Sequence, residues 1–109
     1  HTAVVAGVVG GTLDAAAARQ AARTAALNAL ALLRRELGSL NRIRRLVRIG
    51  VYIAATPEFA NHVEVADGAS ELLRDVLGEA SLPARLVIGV ASLPLGSPVE
   101  LEVIAEVTA

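Results

Sequence analysis

Residues 83–107 read PARLVIGVASLPLGSPVELEVIAEV. Two apolar runs, near 84–92 and 99–107, flank LPLGSP, whose prolines and glycine mark a turn. Val, Ile and Leu dominate both runs, so each is expected to be a strand. In the second run Val99, Leu101, Val103, Ala105 and Val107 share one face, and Glu100, Glu102 and Glu106 share the other. The segment carries a single cation, Arg85. A guanidinium keeps its proton and presents five donors in a planar fork. Beside apolar strand residues it either packs its stem and sends its head to water or meets a carboxylate in a bidentate clamp. Glu100 and its neighbours likewise read either as a solvated face or as carboxylates that position a water or move a proton. A simple hairpin about Leu95 would set Arg85 opposite Glu106. A site joining Arg85 to Glu100 therefore requires another topology or a neighbouring subunit.

Upstream, VEVADGASELLRDVLG (63–78) has helical periodicity. Val65, Ala69, Leu72, Leu73 and Val76 form its apolar stripe, opposite Glu64, Asp67, Glu71, Arg74 and Asp75. Gly68 costs about 1 kcal/mol of helix propensity, so an irregular start is expected. His62 then falls in the loop TPEFANH, where it reads as surface or as a titratable base near neutral pH. Before it, NRIRRLVRIGVYIAATP (41–57) reads as a long strand ended by Pro57. Ile43, Val47, Ile49, Val51 and Ile53 lie on one face, with Arg44, Leu46, Arg48, Gly50 and Tyr52 on the other. GGTLDAAAARQAARTAALNALALLRRELG (10–38) reads as a long helix. Thr12 is the expected N-cap, Asp14 lies in the first turn, and Gly38 ends it in the left-handed region. Ala and Leu run nearly all round, which predicts contacts on more than one side. HTAVVAG and VVGG read as short strands. The order β(β)αβαββ predicts an α+β domain, a mixed sheet with two helices on one face.

Composition narrows the function. The 109 residues are 54% hydrophobic and 19% charged, with net charge −1, which fits one globular domain over 1–109. A slightly acidic chain with one Tyr and one Phe argues against nucleic acid as a partner, although NRIRRLVR is locally basic. No apolar run approaches the roughly 20 residues of a membrane helix, and no signal peptide is evident. Without Cys, thiol chemistry and cysteine metal sites are excluded, and a reducing, cytoplasmic location is expected. Every cation is Arg, so a Schiff-base lysine is excluded too. One of only two histidines is His1, which argues against a histidine metal site. VVGG lacks the spacing of a nucleotide-binding loop.

The C-terminal stretch resembles the signature of the Rid (YjgF-like) family, the reactive-intermediate deaminases. It has the P-x-R strand opening, the V-x-x-L-P turn and the V-E-L-E strand. AALNALALLRRELGSLNRIRRLVRIGVYI is similar to the family's long helix and following strand, and VADGASELLRDVLGE to a branch with an N-G-A-S helix start. HTAVVAG is similar to the first strand, which usually ends in S-G-Q.

The resemblance implies a chorismate-mutase-like homotrimer with ligand clefts between subunits. It implies that Arg85 holds a substrate carboxylate and that Glu100 positions the water attacking an imine carbon. Val87 and Gly7 match further substrate-binding positions. The implied reaction is that of a 2-iminobutanoate/2-iminopropanoate-type deaminase, a hydrolase needing no metal or organic cofactor. The family often has Cys or Ser where Val87 stands, so only a backbone group can serve there. Ala6 and Val8 replace the serine and glutamine around Gly7. A loop between Gly7 and Val8, and residues ahead of them, are expected to be missing relative to the pattern. The competing readings are a non-enzymatic small-molecule-binding or regulatory trimer using the same cleft, and an RNA-cleaving or translation-linked role.

Overall fold

The computed structural model describes residues 6–79 and 83–108. Helix α1 spans Ala15–Leu37, strand β1 Ile43–Ala54, helix α2 His62–Leu77, strand β2 Ala84–Val90 and strand β3 Val99–Val107. Among the described residues the sheet has the order β2-β1-β3. β2 is parallel to β1 and β3 antiparallel to it. This is the expected mixed α+β sheet, with both helices on one face. The hairpin about Leu95 does not form, because the two last strands lie on opposite sides of β1. The 3-10 turn Pro94–Gly96 and its flanks carry the chain between them. HTAVVAG falls mostly outside the described residues, and VVGG contributes only isolated bridges from Val9 to Leu13 and Ala55.

α1 starts at Asp14, whose carboxylate accepts from the Ala17 amide at 2.8 Å. Thr12, the expected cap, instead accepts from the Val8 amide at 3.2 Å. Gly38 ends the helix at φ 83°, its amide donating to the Arg34 carbonyl, as a left-handed cap requires. The buried stripe is Ala18, Ala22, Ala26 and Leu30, while Leu27 and Leu32 are exposed. Alanines line the contact because α2 comes very close. A Cβ at Gly68 would stand 2.1 Å from the Arg19 carbonyl oxygen. Gly68 therefore sits inside a regular helix and allows the backbones to meet, which outweighs its propensity cost. Arg19 also pairs with Glu71 of α2, and that hydrogen bond holds its guanidinium above the usual arginine value against the opposing effect of desolvation.

α2 begins one residue before the expected stretch, at His62, and buries Val65, Ala66, Gly68, Ala69, Leu72 and Leu73. Val76, placed in the stripe by periodicity, is 46% exposed. In β1 the register against β3 shifts between Ile43 and Arg45 and between Leu46 and Arg48. Such irregularities turn side chains to the other face. Leu46 is therefore buried and Val47 exposed, the reverse of simple alternation. Beyond the shift Ile49, Val51 and Ile53 enter the core with Leu73, Val65 and Val9. Each such fully buried side chain contributes roughly 1.5–3 kcal/mol relative to exposure.

Candidate functional site

Register fixes which residues share a face. Ile49 pairs with Arg85 and Val103, Val51 with Val87 and Leu101, and Ile53 with Gly89 and Val99. These rows face the helices. Gly50 pairs with Leu86 and Glu102, and Tyr52 with Ile88 and Glu100. These rows face away from the helices. Arg85 and Glu100 thus lie on opposite edges and opposite faces of the sheet within one chain.

Arg85 sits under α2. Its Nη1 donates to Asp67 Oδ1 at 2.7 Å and to Ser70 Oγ at 3.1 Å, and its side chain is 27% exposed. Asp67 and Ser70 reach it because they lie on consecutive turns of α2 above the start of β2. A hollow of about 170 Å³, lined by Ile49, Ser70, Pro83 and Arg85, adjoins the guanidinium. That volume suits a small acid and lies below the range of drug-sized ligand pockets. Val87 follows on the same face, half-buried against the core.

The carboxylates of β3 differ in their partners. Glu106 approaches Arg45 at 3.4 Å and Arg44 at 4.0 Å, and Glu102 approaches Arg48 at 3.9 Å. Glu100 has no cation within ion-pair distance among the described residues and is exposed. The face it stands on also exposes Leu86, Ile88 and Ile104. Tyr52 lies across this face over Gly50, where a Cβ would meet its ring at 3.1 Å.

Gly7 lies at the other end of the sheet. Its amide donates to the Gly96 carbonyl at 3.0 Å, and Val9 two residues on bonds to Ala54, at the end of β1. Arg85 pairs with Ile49, five residues back along β1, or roughly 16 Å at strand rise. Gly7 would join an Arg85-centred cleft only from a neighbouring copy.

His62, expected in a loop, is the first residue of α2. Its ring meets Phe59 edge-on with centroids 5.2 Å apart, and a Cβ at Gly89 would come 2.5 Å from its Nε2. With Val8, Thr56 and Val90 these residues line a hollow of about 630 Å³. The signal for this approach was an isolated glycine inside a strand of branched residues. Among the described residues no cluster of His, Asp or Glu has metal-ligand geometry. No described helix is long and apolar enough to cross a membrane.

Residues 3–107 match the family described as "YjgF/chorismate mutase-like, putative endoribonuclease". The chain is 37% identical over 101 residues to Protein TCP17 of Trypanosoma cruzi, covering 92% of this chain and 63% of that protein. It therefore spans less than two thirds of this curated relative. Among solved structures, the protein Atu1372 with unknown function from Agrobacterium tumefaciens superposes with a TM-score of 0.93 at 40% identity. That match covers 96% of this chain and 68% of the other. A protein described as a putative endoribonuclease from Shewanella oneidensis superposes at 0.89 with 30% identity, covering 94% and 68%.

Proposed function

Because this chain belongs to the YjgF/chorismate mutase-like family, we propose that it is a homotrimer binding small 2-imino and 2-keto acids between subunits and hydrolysing the imines. Arg85 holds the carboxylate. Glu100 of an adjacent copy orients a water toward the imine carbon and takes its proton. The oxygen adds to carbon as the nitrogen gains a proton, giving a carbinolamine; its hydroxyl proton then passes to the nitrogen, through Glu100 or water, as the carbon–nitrogen bond breaks to give keto acid and ammonia. An enamine enters the same route after tautomerising to the imine. Val87 contributes backbone and apolar wall. The observation that carries this reading is Glu100 itself. It is the β3 carboxylate without a cationic partner among the described residues, and it stands on a sheet face whose apolar side chains await a cover.

The competing RNA-cleaving role has thin support. It calls for Arg42, Arg44, Arg45 and Arg48 as one open basic patch. Arg44, Arg45 and Arg48 instead pair with Glu106 and Glu102, and Arg42 donates to the carbonyls of Leu37 and Thr108. A binding or regulatory trimer would use the same arginine but tolerate loss of Glu100.

The test is ammonia release from 2-aminoacrylate generated in situ by a serine dehydratase, corrected for spontaneous hydrolysis. Acceleration by the protein that disappears in Arg85→Ala supports the deaminase. Acceleration lost in Arg85→Ala but unchanged in Glu100→Gln removes Glu100 from the chemistry. No acceleration by a folded protein contradicts the proposal.

A further inference from the structure

Among the described residues the guanidinium of Arg85 is engaged on one side only. Asp67 and Ser70 both bond Nη1, and neither Nε nor Nη2 has an acceptor among the described residues. Nη2 is the terminal nitrogen on the same side as Nε–H, so among the described residues Nε–H and Nη2–H form the open edge. That edge is one of the two along which an arginine grips a carboxylate with parallel bonds. Asp67 also places a negative charge beside the cation that a ligand carboxylate must share. Asp67 and Ser70 project from one helix, which the close Gly68 contact seats against α1, and both reach the same nitrogen, Nη1.

We infer that Asp67, assisted by Ser70, is a positioning residue that turns the Nε/Nη2 edge of Arg85 toward the ligand, and that its charge lowers the affinity of this clamp for monocarboxylates. The ligand half rests on the Arg85 reading above; the orienting half does not. A weak clamp suits a site that must release its keto-acid product. Asp67→Asn keeps the side-chain oxygen that accepts from Nη1 and removes the charge. In this partly exposed setting, with the Arg85 and Asp67 side chains 27% and 38% exposed, removing the charge tightens binding by roughly 3- to 10-fold.

Two measurements separate the halves. Nitrogen NMR of the Arg85 guanidinium reads its rotation without any ligand. Distinct, slowly exchanging Nη1 and Nη2 signals are expected in wild type and Asp67→Asn, and merged signals in Asp67→Ala. Merged signals in wild type, or distinct signals in Asp67→Ala, overturn the orienting role. Calorimetric titration with pyruvate then reads the charge. Tighter binding by Asp67→Asn supports it. Equal or weaker binding by Asp67→Asn, including no binding by either protein, overturns it. Equal pyruvate binding by wild type and Arg85→Ala would instead defeat the Arg85 clamp, leaving the NMR result to stand on its own.

Discussion

Arg85 and Glu100 belong to opposite edges and opposite faces of one sheet. Arg85 is registered against Ile49 on the helix side, and Glu100 against Tyr52 on the other. A single copy cannot bring the two onto one small ligand. The residues that the family resemblance assigns to one reaction are therefore divided by the fold, and a second copy is the simplest way to reunite them.

The open sheet face should then be an interface. Leu86, Ile88 and Ile104 are 36%, 38% and 44% exposed on it. Replacing Ile88 and Ile104 together by Glu places charges where apolar surface would be buried. The expected outcome in light scattering is a shift of the proposed trimer to monomer, with loss of the proposed ammonia release. An unchanged mass for the double variant would contradict burial of this face.

Gly68 tests the helix contact. The Cβ of Gly68→Ala would overlap the Arg19 carbonyl, which is backbone and cannot swing aside. The helices must separate, and overpacking of this kind costs about 2 kcal/mol or more. Urea denaturation should show that loss, although alanine is the better helix former.

Leu95 carries the left-handed backbone φ 60°, ψ 20° in the β2–β3 connection and is 88% exposed. A leucine pays roughly 1–2 kcal/mol for this conformation. Asparagine tolerates it better, so Leu95→Asn should raise the stability of the isolated chain by about 0.5–1 kcal/mol in the same assay. If the assembled protein is destabilised instead, the Leu95 side chain is held between copies.

Much of this architecture was legible in the residues. Alternation in 99–107 gave β3 its faces, and the stripe from Val65 to Leu73 gave α2 its buried side. Gly38 marked the end of α1. What alternation could not supply was the register shift in β1, which buries Leu46 and exposes Val47. That shift depends on pairing with β3, far along the chain. Topology was hidden for the same reason. Nothing local to LPLGSP says whether its flanking strands pair with each other or with β1. The α1 stripe was obscured because alanine is both a strong helix former and, here, the small residue that a close helix contact needs. Arg85 stood out as a lone cation, whereas its partners Asp67 and Ser70 lie 18 and 15 residues away and read only as the polar side of a helix.

The most direct test of the divided site is subunit complementation. If the proposed site is right, Arg85→Ala and Glu100→Gln each disable every cleft in their own trimers. Randomly mixed trimers, refolded or co-expressed together, contain clefts that take Arg85 from one copy and Glu100 from its neighbour. At equal proportions about one quarter of clefts are intact. Ammonia release should recover to about a quarter of the wild-type rate. Mixed trimers that stay inactive would show that both residues must come from the same chain, or that they do not act together, and would contradict the divided site.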